Sequence, residues 1–278
     1  MVYIAKKICE PSDFLKDGEM KKFYWLITLG VLLSLLFTAC GGGTQSHLEK
    51  IKQAGVIKVG TSADYPPFEY VDESGNKVGF DIELMEEIGK RLGVKVEWVD
   101  MPFDSLIAGV QEGKIDCSIS AFNYTEERDK VVDFSEAYFT AEDAFLVAET
   151  FSGSITKPED VAQYKVGVQS GTTQDDWLTN VLKIPEENLS RYDRADQAAL
   201  DLKNGRIEVM MADAIPAKSL AQKIGGLKIV YTAVLSSGPM NIVLPEGDTE
   251  LAKAINDILK QLQQEGFIDQ LAQKYFTE

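Results

Sequence analysis

Between Ser118 and Arg128 the chain reads Ser-Ile-Ser-Ala-Phe-Asn-Tyr-Thr-Glu-Glu-Arg, a polar loop that follows a strand-like Gly113–Cys117 and ends on an arginine. Ser120, Ala121 and Asn123 offer backbone amides and small polar groups, and Arg128 could grip a carboxylate with two parallel hydrogen bonds. The same arginine could instead pair with Glu126, Glu127 or Asp129 on the surface, and the stretch alone leaves both readings open. A second loop, Gln169-Ser170-Gly171-Thr172-Thr173, opens a helix whose free N–H groups favour an anion, although Thr172 as an ordinary N-cap explains it equally well. Asp213 ends an apolar strand and either caps the next helix, with Pro216 in its first turn, or faces an ammonium group. Ser62 and Tyr65 sit in a fourth loop. Two anion-seeking elements and one cation-seeking carboxylate at the ends of strands describe a site for a zwitterion.

Other chemistries are disfavoured. His47 is the only histidine, and Cys9, Cys40 and Cys117 lie far apart. A single histidine beside a Gly-rich linker nearly removes Ser–His and Cys–His catalysis and His-based zinc sites, and neither metal nor cofactor is expected. A formal net charge of −16 argues against a nucleic acid partner, since phosphate binding needs a basic face. Cys117 reads as a small buried apolar residue.

The elements that must position these groups alternate strand and helix. Val56–Gly60 reads as a strand, and Asp81 as the N-cap of a helix with Ile82, Leu84, Met85, Ile88 and Leu92 on one face and Gly93 as its stop. Val94–Val99 is a strand, Asp104 opens a helix, and Ile115–Ser120 is a third strand. A second unit follows with strands Lys165–Val168 and Ile207–Ala212, a helix from Asp193 or Arg194 to Asn204, and another over Ala217–Ile224. The chain closes with helices Thr249–Gln264 and Ile268–Phe276. This alternation predicts α/β architecture with mostly parallel sheets and helices on both faces. Tyr65, ahead of Pro66-Pro67, is the best ring to stack on a ligand.

The first forty residues read as an address. Met20-Lys21-Lys22, the apolar run Phe23–Phe37 and Thr38-Ala39-Cys40 form a signal peptide over 20–39, with small residues before Cys40 as in a bacterial lipobox. Cys40 would carry lipid, and residues 40–47 would form a flexible tether. Residues 1–19 form an upstream extension, with Met20 as the expected start.

From about Ile51 to Glu278 the chain resembles the bacterial extracellular solute-binding proteins (family 3) that deliver polar amino acids to ABC importers. The resemblance rests on a collinear series: Gly60-Thr61-Ser62-Ala63-Asp64-Tyr65-Pro66-Pro67-Phe68-Glu69, Val78–Ile82, Phe103–Ile107, Thr125-Glu126-Glu127-Arg128, Val131–Ser135, Val166–Thr173 and Asn204-Gly205-Arg206-Ile207. It implies a two-lobed periplasmic-binding-protein fold (type II) with a two-strand hinge, residues 48–141 plus 236–278 forming one lobe and 142–235 the other. Arg128 would bind the ligand carboxylate, helped by Thr172, Thr173 and backbone at Ser120, Ala121 and Asn123. Asp213, assisted by Ser120, would bind the ammonium, and Tyr65 and Phe103 would sandwich the side chain. The partners implied are an L-amino acid, permease subunits and, through lipid alone, a bacterial membrane, the protein itself being a monomer outside the cytoplasm.

Several such proteins that bind cationic or amide side chains carry an acid where this chain has Ser62. With Asn123 and Gln169 also neutral, the pocket is expected to prefer a neutral polar amino acid, because an unpaired buried cation is costly. Asp64, Glu69, Glu142 or Asp143 could restore cation binding. A dehydratase acting on cyclohexadienyl substrates, with one of these acids as proton donor, and a sensory module for a separate receptor are the alternatives.

Overall fold

The computed structural model describes residues 45–277. The upstream extension, the signal peptide, Cys40 and most of the tether lie outside them. Ser46 and His47, placed in the tether above, instead cap and begin helix α1 (His47–Ala54): the Ser46 hydroxyl accepts from the Glu49 amide, and the Ser46 amide donates to the Glu49 carboxylate.

Two five-stranded sheets form the frame. The first places β1 (Val56–Thr61) between β5 (Lys95–Asp100) and β6 (Cys117–Ser118), both parallel to it, and β15 (Val243–Leu244) runs antiparallel between β6 and β7 (Asp133–Phe134). A three-stranded flap of β2 (Asp64–Tyr65), β3 (Glu69–Val71) and β4 (Lys77–Val78) precedes α2 (Phe80–Leu92). The second sheet places β10 (Val166–Gln169) between parallel β11 (Leu189–Tyr192) and β12 (Val209–Asp213), with β9 (Asp143–Ala148) antiparallel to β12 and to β13 (Leu227–Ala233). The parallel pairs are those joined by helices. The antiparallel pairs involve strands next to the two crossings between sheets, where the chain enters from the opposite end. Those crossings, β8 (Phe139–Thr140) and β14 (Pro239–Met240), pair with each other.

The helices follow their apolar spacing. In α7 (Thr249–Gln264), Leu251, Ile255, Ile258, Leu259 and Leu262 share one buried face, each contributing roughly 1.5–3 kcal/mol of burial. It packs on α8 (Phe267–Phe276), whose Phe276 joins an aromatic cluster with Phe68, Phe80 and Phe139. The helix after β5 is divided, a 3-10 turn over Phe103–Ser105 leading into α3 (Leu106–Gln111). After β10 the regular helix α4 (Thr173–Asp176) gives way to a π-helical turn over Trp177–Val181. Helices α5 (Ala195–Lys203) and α6 (Ala214–Ile224) cover the second sheet.

Asp81 is a correction. Gly79 occupies the N-cap position of α2, at φ 135°, where a Cβ would meet the Phe68 carbonyl oxygen at 2.1 Å. Asp81 lies inside the first turn, fully buried, and its carboxyl accepts from the Ala121 amide and the Tyr138 hydroxyl. Cys117 is buried and free. Among the described residues no helix is long and apolar enough to cross a membrane.

Candidate functional site

The loops that leave the two sheets close tightly on one small cavity with a free volume of about 10 Å³. Its lining contains all eleven candidate residues from the sequence: Ser62, Tyr65, Phe103, Ser120, Ala121, Asn123, Arg128, Gln169, Thr172, Thr173 and Asp213. Glu69 and Gln174 complete it.

Arg128 follows the loop from β6 and lies against two rings, its guanidinium carbon 5.4 Å from the Phe122 centroid and 5.7 Å from that of Phe103. Those rings stack on each other at 4.4 Å. The guanidinium donates to the carbonyl oxygens of Asn123 (2.7 Å) and Gly171 (2.9 Å), one on each side of the cavity. These acceptors are neutral. Desolvation lowers its pKa to about 10, with Asp176 opposing the shift. The surface alternative, pairing with Glu126, Glu127 or Asp129, is not what forms: Lys130 takes Glu127 and Tyr124 takes Asp129.

Gly171 turns the chain at φ 73°, and a Cβ there would lie 2.9 Å from the Asp104 Cβ across the cleft. Thr172 caps α4, accepting from the Asp175 amide and donating to the Gln169 carbonyl. The cap reading therefore holds, and Thr172 lines the cavity as well. The Thr173 hydroxyl donates to Asn123 Oδ1 across the cleft at 3.1 Å.

Asp213 occupies the N-cap position of α6, yet its side chain makes no capping bond. It turns inward to accept from Tyr65 Oη (2.9 Å), Gln174 Nε2 (3.1 Å) and Ser237 Oγ (2.5 Å). Tyr65 Oη also accepts from the Asp213 amide. The Tyr65 hydroxyl thus ties β2 to β12. Burial raises the Asp213 pKa to about 7, and nearby Asp143 adds to the rise. Asp143 is itself held by the amides of Leu235, Ser236 and Ser237 and by both serine hydroxyls.

The remaining wall is acidic. Ser120 Oγ donates to Glu69 Oε1 at 2.8 Å and accepts from the Ser62 amide, so its bonds run to Glu69 rather than to Asp213. Ser62 Oγ and Gln169 Nε2 both donate to Asp64, as does the Ala195 amide. Ala121 adopts φ 49°, an uncommon conformation for alanine, and the bond from its amide to Asp81 helps hold it there. Of the four acids named from sequence, Glu69 alone faces this cavity. Glu142 is exposed, Asp143 lies behind Asp213, and Asp64 borders the adjoining cleft with Asp100 and Arg194. The absence of a carboxyl, on which the expected preference for neutral side chains rested, therefore does not hold.

Sequence reasoning gave Glu69 only as one of four acids and passed over Gln174. Glu69 had a local signal, its place in a β-strand two residues after Pro67, and Gln174 had its position beside Thr173 at a helix start. Among the described residues no group of three or more histidine, cysteine, aspartate or glutamate side chains could hold a metal ion.

Comparison with known proteins agrees with this architecture. L-cystine-binding protein TcyJ of Escherichia coli (strain K12) is 30% identical over 229 residues, 82% of this chain and 85% of the relative. A crystal structure of a mutant ArgBP from T. maritima is 41% identical with a TM-score of 0.79, covering 83% of this chain and 99% of that one. An ancestral arginine-binding protein bound to glutamine is 38% identical with a TM-score of 0.75, covering 81% and 99%. The model of the bacterial extracellular solute-binding proteins, family 3, matches residues 57–278, and this chain belongs to that family.

Proposed function

We propose that the protein captures a free L-amino acid between two closing lobes and delivers it to the permease of an ABC importer. One observation carries this reading. A half-buried guanidinium and a buried carboxyl, supplied by loops of the two sheets, line one small cavity, and each is hydrogen-bonded only to neutral partners. Burying either charge without a counter-charge is unfavourable, and a zwitterion supplies both at once. The carboxylate would meet Arg128 and Thr173, the ammonium would meet Asp213, and the side chain would lie along Tyr65 and Phe103 towards Glu69.

The lobes would comprise residues 48–141 plus 236–278 and residues 142–235. Contacts across the cleft (Tyr65 with Asp213, Asn123 with Thr173, Arg194 with Asp100) exist only when it is shut. A ligand touching both walls shifts the population towards that state. The names of the relatives, which bind cystine or arginine, support transport rather than catalysis. The protein would act as a monomer outside the cytoplasm, held to the membrane by lipid on Cys40 alone.

A thermal-shift screen of the purified domain against the twenty amino acids tests this reading. At a hundred times its Kd, a ligand stabilises the folded state by about 2.7 kcal/mol. A melting temperature that no amino acid changes would refute it. Turnover of prephenate or arogenate, followed by ultraviolet absorbance, would favour an enzyme instead.

A further inference from the structure

Below the cavity lie two carboxyls that share one environment. Glu69, on β3, is 1% exposed, and Asp81, on α2, is wholly buried. Glu69 spends one oxygen on the Ser120 hydroxyl, and Asp81 spends one on the Ala121 amide and the Tyr138 hydroxyl. The other oxygens, Glu69 Oε2 and Asp81 Oδ1, are buried without a hydrogen-bond donor, and the two carboxyls are neighbours. Two neighbouring acceptors of this kind can satisfy each other only with a proton between them, because two carboxylates have no donor to offer.

Among the described residues no cation is paired with either acid, and Arg194 lies 3.6 Å from the neighbouring Asp64. Asp64, on β2, adds negative charge beside Glu69. Tyr65 and Tyr138 are neutral, and Glu83, on the outer side of α2, is engaged by Lys274 and Tyr275 of α8. Arg128 lies in the lining of the same cavity but gives its hydrogen bonds to Asn123 and Gly171. Two like charges in a dry site cannot both ionise.

We propose that Glu69 and Asp81 hold a single proton while the cavity is free or contains a neutral side chain, and release it to solvent when a cationic side chain enters. The exchange leaves the charge of the site unchanged, one positive charge replacing another. One cavity can then accept both amide and guanidinium side chains, with pH setting the balance between them. This rests on the amino acid reading above. Burial and the mutual repulsion of the two acids, which hold the Glu69 pKa well above its ordinary value, point the same way.

The test uses arginine, its neutral isostere citrulline, and glutamine. Titration calorimetry in buffers of different ionisation enthalpy counts the protons released. Protons lost from Asp213 on meeting the ammonium are common to all three ligands and cancel in the comparison. At pH 6 to 7, arginine is expected to release about one proton more than citrulline or glutamine, and to gain affinity over them as pH rises. Glu69→Gln should remove that difference and weaken arginine about ten- to a hundredfold more than it weakens citrulline. Asp81→Asn supplies an amide donor to Glu69, so arginine should bind without the extra proton; a merely structural role for Asp81 would weaken all three ligands alike. Equal proton counts for arginine and citrulline in the wild type would overturn the proposal, as would binding of glutamine with none of arginine. No heat from any of the three, together with a flat amino acid screen, would remove the underlying reading as well.

Discussion

Arg128 and Asp213 face the same cavity from opposite sides, but they are held in different ways. Arg128 rests on aromatic faces and donates to two backbone carbonyls, so its position depends on loop geometry and on the approach of Gly171. Asp213 is fixed by three side chains, Tyr65, Gln174 and Ser237, drawn from separate parts of the chain. Burial weakens the charge on each, lowering the arginine's pKa to about 10 and raising the aspartate's to about 7. Only the second value falls within the physiological range. Arg128 is therefore permanently charged, whereas Asp213 can be neutral in the free protein.

Substitutions at the two anchors should expose this asymmetry. Arg128→Ala is expected to have the largest effect, a loss of amino acid affinity of about a thousandfold at every pH, with an unchanged circular dichroism spectrum. An unaltered Kd by calorimetry would end its assignment. Asp213→Asn should cost about ten- to a hundredfold, and the loss should shrink below pH 7, where the wild-type carboxyl already carries a proton. A pH-independent loss would mean that Asp213 stays ionised in the free protein.

Gly171→Ala tests the geometry on the arginine side without touching a charge. The φ of 73° and the 2.9 Å approach to Asp104 predict about a tenfold weaker affinity through impaired closure. Small-angle scattering should show a ligand-bound form more open than the wild type.

The last comparison is stability without ligand. The pKa of Asp213 is raised to about 7, and those of Asp64 and Asp81 to about 6, mainly by burial. Their ordinary value is 3.8, so the folded state holds protons that the unfolded chain has released. That stabilisation is complete below about pH 4 and is lost as pH rises through 6 and 7. His47 acts in the same direction: burial opposes its protonation, but hydrogen bonds to Asp116 and Asp248 prevail and raise its pKa. The melting temperature of the free domain should fall by about 5 °C between pH 5 and pH 8, and Asp213→Asn should flatten that slope. Calorimetric scans across the range check both.

Much of the frame was legible because its signals are local. The helix read over Thr249–Gln264 has those bounds in the structure, and Gly93, read as the stop of α2, ends it in a left-handed turn. Strands were less so. Ile115–Ser120 reads as six residues of strand, but the paired strand is Cys117–Ser118, with the Asp116 and Ile119 amides on either side still donating to Lys58 and Gly60 of β1. Asp81 looked like a cap because an acid before an apolar stripe usually is one, and Gly79 could take that position only through its unusual backbone angle.

The sequence by itself determined which groups the molecule owns and which loops carry them: one arginine after a polar loop, one aspartate after an apolar strand, and hydroxyls at a helix start. Tertiary structure decided their partners. Tyr65 and Asp213 are 148 residues apart, as Ser120 and Glu69 are 51 apart, and no periodicity reports such a meeting. Hydrophobic spacing repeats over a few residues and so can be read locally. The charge state of a buried acid depends on the donors and neighbours that folding brings to it, and Glu69 acquires its character only when Asp81 is packed against it.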